Sequence, residues 1–295
     1  MGGTDAVSVI IPVYNDPEGI ETTLNSVTAQ TYPAEHYEVL VVDNGSTDTT
    51  RSVAEQYASR HDTVTVLVED EIQGSYAARN TGIRNANGDV LAFIDADMSV
   101  DADWLERATA SMHERGCCYM GTNVEVYSRS DQPTLAERYQ IAKGFPVKSY
   151  LSRDNFAPTC CLFVSRALFD EIGLFDESVI SGGDYEFGNR AVKHGVELHY
   201  EPDITVYHPA RTTFRELCRK QRRVGTGKAQ LHDSAPELTG PVFHPRHLLP
   251  TTPWHFLDQF AADYEPTRSE LFVFYLLDYL FKIRRSIAMV SEWAG

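Results

Sequence analysis

The chain of 295 residues is long enough to bury a substantial core, and its 42% hydrophobic and 23% charged residues are ordinary for a soluble protein. Its net charge of −16 is not ordinary: Lys143, Lys148, Lys193, Lys220, Lys228 and Lys282 are its only lysines, and arginine supplies most of the positive charge. Such a surface opposes nucleic acid, whose phosphates need basic patches, and it suits either a salt-rich cytoplasm that screens self-repulsion or simply an acidic protein.

The opening Met1-Gly2-Gly3-Thr4-Asp5 lacks the basic region of a secretory signal and leads directly into a strand, which reads as a cytoplasmic chain. Val7-Ser8-Val9-Ile10-Ile11-Pro12 is that strand, apolar, rich in β-branched residues and ended by proline. A helix is predicted over 18–30, with Ile20, Leu24 and Val27 on one face. Glu38-Val39-Leu40-Val41-Val42-Asp43 is a second buried strand, after which Thr47 or Asp48 caps a helix carrying Val53, Ala54 and Tyr57. A third strand over 64–68, a helix over 75–85 and a fourth strand, Val90-Leu91-Ala92-Phe93-Ile94, lead to Asp95. Apolar strands alternating with helices predict an α/β fold with a mostly parallel sheet covered on both faces.

The second half is less regular. The pattern gives a strand over 157–164, a helix over 184–194 ended by Gly195, and short strands over 197–200 and 204–207. A basic helix over 214–231, a proline-rich irregular linker over 232–268 and an apolar helix over 269–291 complete the chain. Cys117, Cys118, Cys160, Cys161 and Cys218 are odd in number, include two adjacent pairs and show no C-x-x-C spacing. That argues for thiols in a reducing compartment, not a disulfide framework or zinc site.

In open α/β sheets ligands bind outside the carboxyl ends of the strands. Three polar stretches fall there: Pro12-Val13-Tyr14-Asn15, Asp43-Asn44-Gly45-Ser46 and Asp95-Ala96-Asp97. Residues two apart on a strand share a face, so both carboxylates of Asp95 and Asp97 can converge on Mg²⁺ or Mn²⁺ bridging a diphosphate. The bland alternative is acids that solvate a loop or open a helix, as Asp101 and Asp103 are expected to do. Asp43 faces the same crevice and can accept a hydrogen bond from a base or ribose, or serve only the turn. Neither G-x-G-x-x-G nor G-x-x-x-x-G-K-[ST] is present, which counts against a dehydrogenase and a P-loop enzyme.

Four ordered stretches resemble the signatures of family 2 glycosyltransferases: Val7 to Asn15 with its Ile-Pro-Val-Tyr-Asn ending, Val41-Val42-Asp43-Asn44-Gly45-Ser46-Thr47-Asp48, Ala78-Arg79-Asn80-Thr81-Gly82-Ile83, and Ala86-Asn87-Gly88-Asp89 through to Asp95-Ala96-Asp97. The likeness covers about residues 7–230. It implies a GT-A fold over 1–231, with a nucleotide-binding half over about 1–98 and an acceptor-binding half over 99–231, followed by a linker and C-terminal helical extension over 232–295. It implies inverting transfer of one sugar from a nucleoside diphosphate sugar, most commonly a UDP-sugar, to a hydroxyl of a glycan, lipid-linked or small-molecule acceptor.

Carried over, the resemblance sets Pro12, Tyr14 and Asn15 at the nucleotide, with Asp43 bonding the polar edge of the base. Arg79 falls near the base or phosphates, Asp95 near the ribose, and Asp97 on the metal, Mn²⁺ or Mg²⁺. The family's base lies in an acidic pair opening a helix after a Gly-rich turn, and Ser181-Gly182-Gly183-Asp184-Tyr185-Glu186 is the matching stretch. Asp184 keeps the base position, its acidic neighbour is replaced by Gly183, and Glu186 is the fallback. His208 matches a further metal ligand. Gln221, Arg222 and Arg223 match the basic segment that closes over the diphosphate, although the Gln-x-x-Arg-Trp of polymer-forming members is absent. Selection of the sugar is expected around residues 98–184, including Asn155 to Cys161. The missing acid at Gly183 motivates a second reading, a catalytically weak nucleotide-sugar-binding protein. A nucleotidyltransferase would need a Gly-rich, Arg-containing loop where Val13-Tyr14-Asn15-Asp16-Pro17 stands. The final helix packs on the domain, pairs with a second subunit, or lies on the inner face of the cell membrane with Lys282, Arg284 and Arg285 near headgroups.

Overall fold

The strand Val7–Val13 is buried at every residue, and the sheet is assembled around it. A computed structural model describes residues 5–241, 244–260 and 264–294. In chain order the elements are β1 (Val7–Val13), α1 (Pro17–Val27), β2 (Tyr37–Asp43), α2 (Thr50–Ala58), β3 (Val64–Val68), α3 (Ser75–Asn85), β4 (Val90–Phe93), β5 (Ser99–Val100), α4 (Trp104–Arg115), β6 (Tyr119–Tyr127), α5 (Leu135–Lys143) and α6 (Val147–Asp154). They continue with β7 (Leu162–Ser165), α7 (Arg166–Ile172), α8 (Gly183–Lys193), β8 (His199–Pro209), α9 (Phe214–Ser234), α10 (Pro236–Thr239), α11 (Pro253–Leu257) and α12 (Arg268–Trp293). The chain divides into two compact units: Met1–Glu125, Val147–Glu177 and Asp184–His208 form one, and Val126–Pro146, Ser178–Gly183 and Pro209–Gly295 the other.

The sheet has the order β3-β2-β1-β4-β7-β6-β8-β5. Its first four strands are parallel, as continuous apolar runs joined by helices require, with Val13 opposite Asp43 and Ile10 opposite Phe93. Beyond β4 the neighbours turn antiparallel, β7 against both β4 and β6, and β5 against β8. Helix α3 lies close on β1: a Cβ on Gly82 would come within 2.5 Å of Ile10 Cγ2. An aromatic cluster joins β4, α7 and α8. Phe93 packs edge-on against Phe169 and Phe175, and Phe187 stacks on Phe169 with centroids 4.6 Å apart.

Several local expectations shift. The strand expected over 157–164 begins only at Leu162; Pro158, which has no N–H for a ladder, starts a 3₁₀ turn over Thr159–Cys161 instead. The two strands expected over 197–200 and 204–207 are one, β8, running through Pro202. β5 pairs only with Val206 and Tyr207, so the stretch around Pro202 has an unladdered side where a residue without an N–H is tolerated. Helix α2 starts at Thr50, whose amide and hydroxyl both donate to Asp48, while Leu105 at the start of α4 donates to Gln30 Oε1 in place of a bond to Asp103.

In the second unit, α5, α9, α11 and α12 bury Tyr139, Leu217, Phe256, Phe274 and Phe281 together. Within that apolar cluster Lys143 pairs with Asp278 at 2.9 Å and sits 4.7 Å from the ring centre of Phe256. The final apolar helix thus covers its own unit's core with one face, while Phe272, Leu276, Leu280 and Ile287 remain exposed on another. Among the described residues no helix is long and apolar enough to cross a membrane.

Gly88 gives a test of how tightly the sheet is closed. A Cβ there would lie 2.5 Å from the backbone N of Ser8 and 2.7 Å from the carbonyl carbon of Val7, neither of which can rotate away. Gly88→Ala is expected to lower stability by about 2 kcal/mol or more, read from the midpoint of urea denaturation.

Candidate functional site

The ends of β1 and β2 are laced together by side chains. Asn15, with φ +48°, donates its amide to Ser46 Oγ at 2.9 Å, and its Oδ1 accepts from the amide of Thr47 at 2.8 Å. Between them Tyr14 is 50% exposed, while Pro12 stays buried in the strand. Asp43 is fully buried: one oxygen takes Arg51 Nε at 3.0 Å and Nη2 at 2.9 Å, the other the amide of Ser46 at 3.3 Å. Asn44 fixes the approach to α3. Its amide donates to the carbonyls of Glu69 and Ile72, and its Oδ1 accepts from Gln73 and from the amide of Gly74.

The acidic pair after β4 departs from the geometry expected of it. β4 stops at Phe93, so Asp95 and Asp97 do not alternate along a strand; they lie in a turn, with Asp97 at φ +134°. Few side chains adopt such a conformation, and it persists because the surroundings hold it. The holding group is Thr23 of α1, wholly buried. Its hydroxyl accepts from the amides of Asp97 at 3.0 Å and Met98 at 3.1 Å and donates to the carbonyl of Met98 at 2.8 Å. Immediately after the turn, Ser99 pairs with Tyr207, so the register brings His208 alongside the turn that carries Asp97. His208 itself is buried.

One turn of α3 then connects the two acidic stretches. Arg79 is only 3% exposed and donates from Nη2 to Asp95 Oδ1 at 2.5 Å, while its Nε has no partner among the described residues. Three residues earlier, Tyr76 lies under the guanidinium, 5.4 Å from ring centre to Cζ, and donates its hydroxyl to Asp184 Oδ1 at 3.0 Å. Burial pushes the Asp184 carboxyl above its ordinary pKa, against the lowering pull of Tyr76, of the Arg79 charge and of the amides of Tyr185 and Thr159. Burial, then the Asp184 charge, drive the Tyr76 phenol above its ordinary value, so it remains a donor.

Glu186 faces a different task. Arg190 grips it through Nε at 2.8 Å and Nη2 at 2.9 Å, and the same guanidinium bonds the carbonyls of Ile172 and Leu174. Gln221, Arg222 and Arg223 lie in the middle of α9 in the second unit, the two arginines exposed. The structure therefore links Asp95 and Arg79 by a hydrogen bond, Tyr76 and Asp184 by another, and the two pairs by the Arg79–Tyr76 cation–π contact, and it places Asp43, Asn15, Asp97 and His208 at strand ends of the same unit. Sequence reasoning missed Thr23 and Tyr76. Both sit on faces that read as core, and a buried hydroxyl next to Ile20 and Leu24 was the one available signal.

The donor set suits a hard divalent cation. Carboxylate oxygens and an imidazole bind Mn²⁺ or Mg²⁺ well, and such ions take one or two protein carboxylates and complete their shells with phosphate and water. Accordingly, no group of three or more His, Cys, Asp or Glu side chains is gathered around one point among the described residues.

Residues 8–173 match the model of Glycosyl transferase family 2. The chain is similar to glycosyltransferase AglE of Haloferax volcanii, 46% identical over 225 residues that cover 76% of this chain and 73% of that one. It is 25% identical over 247 residues to a dolichyl N-acetyl-alpha-D-glucosaminyl phosphate 3-beta-D-2,3-diacetamido-2,3-dideoxy-beta-D-glucuronosyltransferase of Methanococcus voltae, covering 75% and 72% of the two chains. Several further curated relatives match over about half of their own length. Among solved structures, the mannosyltransferase PcManGT from Pyrobaculum calidifontis, in complex with GDP-Man and Mn²⁺, matches with a TM-score of 0.67 at 21% identity, over 99% of this chain and 88% of that one. The fold is the GT-A type.

The turn at Asp97 should depend on the Thr23 hydroxyl. Thr23→Val keeps the shape but removes the acceptor of the Asp97 amide and leaves the Met98 amide only a longer bond to the Asp95 carbonyl, at 3.4 Å, and is expected to cost about 1–3 kcal/mol in urea denaturation, whereas Thr23→Ser should recover most of the loss.

Proposed function

The chain belongs to glycosyltransferase family 2, and on that premise we propose that it moves a single sugar, with inversion, from a nucleoside diphosphate sugar to an acceptor hydroxyl, with Asp184 as general base. UDP is the expected nucleotide, and the acceptor is a glycan, a lipid-linked sugar or a small molecule. The observation that carries this reading is the state of Asp184. A carboxylate opening a helix is stabilised by the helix dipole and would be a weak base. Here burial acts in the opposite sense and raises its affinity for a proton, which a base that must deprotonate a hydroxyl requires. The acid missing at Gly183 is not needed for that shift, because desolvation and not a like charge produces it. Glu186, gripped by Arg190, is left as a structural anchor for α8.

On the donor side we assign the base to the exposed ring of Tyr14 and to Asp43, which Arg51 and the Ser46 amide hold in place. Asp95, 41% exposed and anchored by Arg79, is left to accept hydrogen bonds from the ribose. Asp97 and His208 would hold Mn²⁺ or Mg²⁺, which when bound neutralises charge on the departing diphosphate. The unused Nε of Arg79 is a buried donor that a ligand oxygen would satisfy. Thr159 donates its amide to Asp184, so the 155–161 segment meets the base directly and is the proposed place of sugar selection.

Asp184→Asn tests the assignment. With a nucleotide-sugar and Mn²⁺, turnover by donor hydrolysis or transfer is expected to fall by about 10²–10⁴-fold with little change in donor KM. Turnover that is above the protein-free rate and unchanged in the variant removes Asp184 as base, and wild-type protein that binds donor but turns it over no faster than buffer alone supports the binding-protein reading. The pH dependence carries its own sign. Because the folded pKa is raised, kcat/KM should decline as pH falls through a value above the ordinary aspartate range of about 3.9. The same shift makes this carboxyl's contribution to stability decrease as pH rises from the unfolded pKa through the folded one. Asp184→Asn should therefore lose activity while keeping or gaining thermal stability at neutral pH, measured by calorimetry.

A further inference from the structure

The second unit contains a cavity of about 680 Å³ whose charge is the reverse of the protein's. Lys228 from α9 and Lys282 and Arg285 from α12 line it, together with His255 and the hydroxyl-bearing Thr252. The one carboxylate among its described lining residues, Asp278, is already engaged: Lys143 pairs with it at 2.9 Å, and Tyr139 and Thr251 donate to it at 3.3 and 3.1 Å. Among the described residues no carboxylate lies within ion-pair distance of Lys228, Lys282 or Arg285. In a chain with 42 acidic and 26 basic side chains, three unneutralised cations around one cavity need a reason. Lys228 and Arg285 are exposed and Lys282 is half-buried, and desolvation by its neighbours and then the Arg285 charge hold the Lys228 ammonium below its ordinary pKa.

We propose that this cavity is a binding site for a phosphate ester or diphosphate, gripped by Lys228, Lys282 and Arg285. None of these residues belongs to the donor set, and the inference does not depend on the function proposed above. A phosphomonoester carries about −1.5 to −2 charges at neutral pH, which calls for more than one cation, and a guanidinium beside two ammonium groups supplies both a bidentate fork and point charges. A volume of about 680 Å³ holds far more than one inorganic ion. Leu249 also lines the cavity and is 59% exposed, so the phosphate arrives either on a soluble molecule or on a lipid whose chain lies along that apolar rim.

Titration calorimetry of the full chain with inorganic pyrophosphate, in EDTA and at physiological salt, reads the site without metal-assisted binding. Wild type and Asp97→Asn are expected to bind alike, and Lys282→Gln/Arg285→Gln to bind at least about tenfold more weakly, as expected when charge-assisted bonds are lost. Arg285 is exposed and Lys282 half-buried, and a matching melting curve verifies that the double variant folds; Lys228→Gln is the independent second variant and should show the same loss. Sedimentation with phosphatidylcholine vesicles, with and without phosphatidic acid, separates the sources. Pelleting that needs phosphatidic acid and is lost in the double variant identifies a lipid phosphate, and pyrophosphate binding without pelleting identifies a soluble one. The proposal is overturned by a double variant that binds pyrophosphate as tightly as wild type. It is equally overturned by equal loss in Asp97→Asn, or by wild type that binds neither probe.

Discussion

Burying a guanidinium is costly unless a carboxylate meets it, and the first unit is arranged around one such burial. Arg79 is almost without solvent, so Asp95 must stand where it does, and the Asp95–Asp97 turn is tied to α3 as firmly as to α1. Tyr76, one turn earlier on the same helix face, extends the constraint to Asp184 at the start of α8. A proposed ribose ligand and a proposed base, far apart in the chain, are thus spaced by three residues of helix. The aromatic cluster of Phe93, Phe169, Phe175 and Phe187 makes that spacing rigid, since it packs β4, α7 and α8 against one another and Tyr76 against Phe175.

The same contacts bear on how the proposed base, Asp184, would be kept ready for proton transfer without an acidic neighbour. Desolvation raises its proton affinity, and the phenol, the guanidinium and two amides limit the rise. The balance is adjustable through groups that never touch a substrate. Removing the Tyr76 hydroxyl removes a lowering contribution and would leave the proposed base less ionised, so a residue of α3 bears on the protonation of Asp184.

The strand-and-helix order of 7–95 and the polar ends of its strands are legible in the sequence, because apolar runs and helical periods are local signals. What was illegible depends on partners distant in the chain. Asp95 and Asp97 read as alternating on a strand, but Thr23, some seventy residues earlier, captures the amides of Asp97 and Met98 and turns the backbone. Pro158 interrupts a run of apolar residues that otherwise reads as strand. Tyr76 and Phe187 read alike as core aromatics; only the fold shows that one of them ends on a carboxylate. Gly225 and Gly227 follow the basic run Gln221-Arg222-Arg223 that reads as a phosphate-closing segment. A Cβ on Gly225 would lie 2.2 Å from the carbonyl oxygen of Arg285, and one on Gly227 2.3 Å from that of Ser181. These glycines serve close packing inside the second unit, and α9 continues through them without a break.

The scarcity of lysine gives the remaining cations added meaning. Lys143 occupies a nest of aromatic faces with Asp278 as its partner, a neutral arrangement that an apolar cluster tolerates. Among the described residues Lys228 and Lys282 have no such partner, and they line one cavity with Arg285. Against a net charge of −16, long-range attraction for anions is unavailable, so an anion must be captured by short-range groups that overcome the general field. High salt would screen that opposing field while leaving direct ammonium–phosphate contacts largely intact. The acidic surface and the small cationic cavity are therefore compatible in a concentrated salt solution and antagonistic in a dilute one.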